Sequence, residues 1–164
     1  MLKKIFLLIL FVLTTWCGFE AIHSKANRIV NSNLIIAKIN YDGDRETNIK
    51  IKEGLSLYKS NQDETTNPES IFIKILDIES NVTREIAVKD SKGNPSIYKL
   101  EVEVTVLATK SDDSKKNYRL EKNSKYDYNS DSSALKESEK ELKRSLAETI
   151  TNELVFKLTS GQWF

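Results

Sequence analysis

The sequence predicts an α+β fold: a two-layer α/β sandwich whose four-stranded, mostly antiparallel sheet carries two helices on one face, in the order β-α-β-β-β-α. Two observations predict it. Three long stretches after residue 70 alternate apolar and polar side chains with period two, as strands with one dry and one wet face do. A leucine-rich stripe then recurs at close to helical spacing near the end of the chain, supplying the cover a one-faced sheet needs.

Taken in order, Leu34-Ile35-Ile36-Ala37-Lys38-Ile39 is a compact, β-branched run that reads as a first, largely buried strand. Asp42-Gly43-Asp44 brings turn chemistry and a candidate helix N-cap. Ile51, Leu55 and Tyr58 then recur at spacings of four and three, predicting a short amphipathic helix over Glu46 to Lys59, weakened by Gly54. Lys59 to Ser70, rich in polar residues and holding Pro68, reads as a loop.

In the stretch Ile71 to Val88, one face collects Phe72, Leu76, Ile78, Val82, Ile86 and Val88, and Lys74 and Arg84 break the pattern, so a bulge or an edge position is expected there. From Ile97 to Thr109, Tyr98, Leu100, Val102, Val104, Val106 and Ala108 oppose Lys99, Glu101, Glu103 and Thr105. From Tyr118 to Tyr128, Tyr118, Leu120, Tyr126 and Tyr128 oppose Arg119, Glu121, Lys125 and Asp127. The segments Lys89 to Pro95 and Ser111 to Lys116 read as hairpin tips. Ser130-Asp131-Ser132-Ser133 offers N-caps for a helix carrying Leu135, Leu142, Leu146, Ile150, Leu154 and Leu158, with Ala147 and Val155 beside them and Gly161 as a stop signal. On its remaining surface Glu137 with Lys140, Glu139 with Lys143 and Glu141 with Arg144 are spaced for weak ion pairs.

The N-terminus is of a different kind. Lys3 and Lys4 precede the unbroken apolar run Ile5 to Leu13, the layout of a secretory signal peptide. The run is short of the roughly 17–25 apolar residues of a spanning helix. The lone cysteine, Cys17, follows it and cannot form an intramolecular disulfide. Its place before Gly18 resembles that of the acylated cysteine of a bacterial lipoprotein, although Thr14, Thr15 and the bulky Trp16 stand where such signals carry a leucine and small residues. The organisation expected is therefore a signal peptide over 1–16, a lipid-anchored tether over 17–33 and the sandwich domain over 34–164. An inner-membrane anchor through an uncleaved N-terminal segment, or a secreted form, is the alternative.

Composition excludes several function classes. The 164 residues carry 25 basic and 24 acidic side chains; Lys3 and Lys4 are the only charges before Cys17, which leaves 23 basic against 24 acidic beyond it. Such a balance has no concentrated basic face for nucleic acid. His23 is the only histidine and lies in the lead-in, so no histidine-based triad or metal site can be assembled. There is no phosphate-binding or dinucleotide glycine loop, and no cofactor is expected. The carboxylates alternate with lysines on solvated faces, so no catalytic residue is assigned.

A binding or assembly role remains. Lys89 and Lys92 lie at one hairpin tip, and Lys110, Lys115 and Lys116 at the next. Exposed ammonium groups of this kind suit contact with phosphate, as on anionic lipid headgroups, and are the candidate lipid-contact residues. Solubilising loop charge, interleaved with Asp90, Asp112 and Asp113, is the competing reading.

Together, Cys17-Gly18-Phe19, the strand Leu34 to Ile39 followed by Arg45 and a short helix, the long hairpin strands, and Tyr126-Asp127-Tyr128 through Asp131-Ser132-Ser133-Ala134-Leu135 into Glu139 and the leucine-rich helix resemble the LptE family, in its α-proteobacterial form. The resemblance implies a lipopolysaccharide-assembly lipoprotein of the outer membrane, facing the periplasm. It would be anchored through lipidated Cys17, act as a plug in an LptD-type β-barrel, assist assembly of that barrel and help deliver lipopolysaccharide to the cell surface. The alternative is a periplasmic lipid-binding or transport-accessory lipoprotein without a barrel partner.

Overall fold

A computed structural model describes residues 33–60 and 70–160. The expected signal peptide, Cys17, the expected tether up to Ser32, His23, most of the loop after Lys59 and Gly161 lie outside the described residues. The expected element order is the observed one: β1 (Leu34–Gly43), α1 (Arg45–Leu55), β2 (Ile71–Lys89), β3 (Pro95–Lys110), β4 (Lys115–Asp127) and α2 (Ser132–Thr159).

The sheet is four-stranded and mixed, with spatial order β1-β2-β3-β4. β1 runs parallel to β2, from Leu34 opposite Ile71 to Gly43 opposite Ser80. The other two pairings are antiparallel hairpins. Their turns are held by aspartates: Asp90 Oδ1 accepts the amides of Lys92 and Asn94, and Asp112 Oδ1 accepts the amide and hydroxyl of Ser114. These are Asx turns, with Gly93 and Asp113 in the left-handed region.

Both helices cover one face. The core between the layers contains Ile36, Ile51, Leu55, Ile73, Leu76, Leu100, Val102, Val104, Val106, Leu120, Ile150, Leu154 and Leu158, so the leucine stripe packs as expected from Leu146 onward. On the open face the polar phase is spent in ion pairs between neighbouring side chains, Lys99 with Glu101 and Arg119 with Glu103 across strands.

Three local expectations change. The bulge falls at Lys74, where the β2–β3 register shifts between Ile73 and Ile75. That slip moves Ile73 onto the buried face in place of Phe72, which is only half-buried. Helix α1 stops at Leu55 rather than Lys59: the Ser56 hydroxyl turns back to the Glu53 carbonyl, and Tyr58 reaches the core from a turn. The next residues instead bridge β1, with the Ile36 amide donating to the Tyr58 carbonyl and the Ser60 amide to that of Ile36. In α2 the Glu137–Lys140 and Glu139–Lys143 pairs form, whereas Arg144 ties α2 to Glu46 of α1 and not to Glu141.

One part-buried polar hub fixes the β1–α1 corner. Asp44 caps α1, accepting from the amide and hydroxyl of Thr47, and Lys143 of α2 reaches its other oxygen at 3.5 Å. The buried Ser80 hydroxyl donates to Asn48 Oδ1 at 2.9 Å, and the Ser80 carbonyl accepts from the Asp44 amide.

Candidate functional surface

Successive turns of a meander fall at opposite ends of its sheet, and β3 separates these two by 16 residues, on the order of 50 Å of strand. Lys89 and Lys92 sit at the distal β2–β3 tip. Lys110, Lys115 and Lys116 sit at the other end, where β1 starts and the Ile71 amide donates to the Asn33 carbonyl. The five lysines thus form two separate groups. In the second group Lys116 lies 5.8 Å from the centre of the Tyr118 ring, and neighbouring Lys74 pairs with Asp113.

The distal tip has chemistry that the lysines alone did not disclose. β2 is 19 residues long, roughly 60 Å, against roughly 40 Å for the 28 residues of α2. The helix layer leaves Ile86, Val88 and Tyr128 exposed at 47%, 41% and 46%. Ile86 lies opposite Tyr98, whose ring stacks on Tyr126 at 5.7 Å and meets Tyr128 at 6.2 Å. An aromatic and aliphatic strip therefore crosses three strands beside Lys89 and Lys92.

Arg84 anchors this strip. It is placed on the helix-covered face opposite Leu100, beyond the end of β1, so the broken alternation marks an edge position and not a second bulge. Its guanidinium lies 5.1 Å from the centre of the Tyr98 ring and donates to Glu139 Oε2 at 3.1 Å. The Tyr126 hydroxyl donates to the same oxygen at 3.3 Å. Burial, and then the Glu139 charge, raise the Tyr126 phenol above its ordinary range, so it stays a donor.

At the tip turn, the Asp90 carboxyl is held below the usual carboxylate range by the Asn94 amide first, and by the Lys92 amide further down. Its oxygens serve the turn. The sequence signal for the exposed strip was the mismatch between a 19-residue strand and its shorter cover; period-two patterning reports a face, not how far that face is covered.

Elsewhere, a shallow groove of about 350 Å³ crosses the open face, lined by Asn40, Asp42, Asp77, Glu79, Thr105 and Leu107 among others. Asn40 there donates to Asp77 at 2.6 Å. Among the described residues no three His, Cys, Asp or Glu side chains come together to hold a metal ion, and no helix is long and apolar enough to cross a membrane.

This architecture, a mixed four-stranded sheet with both helices on one face, is shared with solved bacterial lipoproteins. One is the rare lipoprotein B from Shewanella oneidensis, at 16% identity and a TM-score of 0.55, over 75% of this chain and 94% of that one. Another is a minor lipoprotein from Acinetobacter baumannii, at 12% identity and a TM-score of 0.53, over 79% and 95%. A lipoprotein from Caulobacter crescentus CB15 aligns at 11% identity and a TM-score of 0.50, over 84% and 96%. No protein-family model matches the chain, and no curated protein sequence matches it.

Proposed function

We propose that this chain is a non-enzymatic lipoprotein held through Cys17 at the periplasmic face of the outer membrane, where it plugs an LptD-type β-barrel, assists its assembly and helps deliver lipopolysaccharide to the cell surface. The observation that carries the reading is the fold shared with bacterial lipoproteins almost to their full length, 94% of the Shewanella oneidensis chain. It stands beside the lipoprotein-like position of Cys17 and the sequence resemblance to the LptE family.

Two physical features agree with it. The open sheet face is polar and of mixed charge, which suits the wet, polar lumen of a large outer-membrane barrel. The distal tip sets Lys89 and Lys92 beside an exposed apolar strip, a combination that suits an amphiphile with phosphate on its headgroup. Lys110, Lys115 and Lys116, at the far end, form a second candidate contact for the same class of ligand. A single acyl chain holds weakly, so the barrel contact and additional chains would share the attachment.

Detergent extraction followed by co-purification tests the reading. The expected result is recovery with a large barrel protein. Recovery as a free monomer that still binds anionic lipid, with binding lost in Lys89→Glu/Lys92→Glu, would favour a periplasmic lipid-binding lipoprotein without a barrel.

A further inference from the structure

Strand β2 outruns its neighbour. β1 pairs with it only as far as Gly43 opposite Ser80, while β3 follows it to Lys89 opposite Pro95. Among the described residues, the edge of Asn81–Lys89 on the β1 side therefore meets no strand, and every residue of that run except half-buried Val82 is exposed. An open edge presents backbone amides and carbonyls in a row, and what satisfies that row is another extended backbone.

The other long edge is built differently. β4 carries Lys115, Lys116, Arg119, Lys122 and Lys125 within 13 residues, the charged dressing that keeps edges from pairing. Asn81–Lys89 has instead Val82, Thr83, Ile86 and Val88, which favour strands. Its one internal cation, Arg84, is turned to Glu139 in α2. Glu85 faces Lys99 on β3 and is open on its other flank.

We infer that Asn81–Lys89 is a strand-addition site whose occupant is an extended segment of the barrel partner, apolar beside Val82 and Ile86 and basic beside Glu85. The inference rests on the plug reading given above and specifies its contact. Val82, Thr83, Ile86 and Val88 favour pairing with an extended segment, and exposed Glu85 is complemented by a basic residue on it.

Hydrogen–deuterium exchange on the full chain, alone and in its detergent complex with the co-expressed barrel protein, tests it. The amides of Asn81–Lys89 that point away from β3 are expected to slow at least about tenfold in the complex, and those of the β4 edge to stay unchanged. Ile86→Lys/Val88→Lys brings the β4 device to two exposed positions; it is expected to remove the protection and cut complex recovery while leaving the melting temperature unaltered. Asn117→Lys on the β4 edge is expected to change neither. An intact complex whose Asn81–Lys89 amides exchange as in the free chain overturns strand addition alone. Absence of any complex overturns the plug reading and this occupant together. Protection that arises in the chain alone and grows with concentration overturns the assignment in favour of a second copy.

Discussion

Gly54 of α1 lies so close to Thr151 of α2 that a methyl group added at Gly54 would stand 2.7 Å from the Thr151 Cγ2 atom. The Thr151 side chain cannot easily turn away, because its hydroxyl donates to the Ala147 carbonyl at 2.7 Å and the residue is buried. A glycine that weakens the helix by roughly 1 kcal/mol relative to alanine is therefore the residue that lets the two helices meet. Gly54→Ala is expected to lower stability by about 1 kcal/mol, overpacking of about 1–3 kcal/mol outweighing the gain in propensity. Thr151→Ser removes the obstructing methyl and keeps the hydroxyl, so Gly54→Ala/Thr151→Ser should be more stable than the sum of the single changes by at least about 0.5 kcal/mol in urea unfolding.

The β1–α1 corner should be less forgiving. Gly43 has φ of +93°, and a Cβ there would stand within bonding range of the Ser80 carbonyl oxygen. Gly43→Ala combines left-handed strain with a backbone collision, and a loss of more than about 3 kcal/mol is expected. Ser80→Ala removes the hydroxyl bond to Asn48 and the longer ones to the Asp42 and Asp44 carbonyls, leaves the backbone in place, and should cost about 1 kcal/mol. Thermal melts of the two variants give the ranking directly.

The distal hairpin should loosen when its tie to α2 is cut. Arg84 and Glu139 are partly exposed, so their ion pair is worth only about 0.5–1 kcal/mol in a double-mutant cycle of Arg84→Ala and Glu139→Ala. The larger effect expected is local: faster amide exchange over Ile86–Tyr98 and in the first turns of α2, with the core around Val104 and Ile150 unchanged.

Acid should weaken the fold, and two of the depressed carboxylates, Asp44 and Glu153, tie α2 to its neighbours. Burial alone would raise the Asp44 carboxyl, but the Thr47 amide and hydroxyl and the Lys143 ammonium together hold it below its ordinary range. The hydrogen bond from Lys122, assisted by Lys157, holds Glu153 low against the opposing effect of burial. A depressed folded pKa means the unfolded chain takes up protons first, so this stabilisation is present above the ordinary carboxylate range and lost as pH falls through the lower folded values. The melting temperature should fall as pH drops from about 5 towards 2, and fall less steeply in Asp44→Asn/Glu153→Gln, where Asn still caps α1.

How much of this was legible in the sequence differs from element to element. Period two and period 3.6 located five of the six elements, and β1 was legible as a compact β-branched run. The bulge at Lys74 was signalled by a charge in an apolar phase, yet its consequence, Ile73 buried in place of Phe72, depends on the partner strand. Helix α1 ends early because the chain at Tyr58 gains more by bridging Ile36, a tertiary contact that local propensity does not encode. The lysines were placed correctly at hairpin tips, but the strip of Ile86, Tyr98 and Tyr128 became visible only once the reach of α2 over the sheet was known.

Intact mass of the protein extracted from membranes tests most directly whether the chain is a lipoprotein built on Cys17. A chain beginning at Cys17 with added acyl mass is the predicted result. Retention of Met1 to Trp16, or a mature chain without acyl mass, would contradict it.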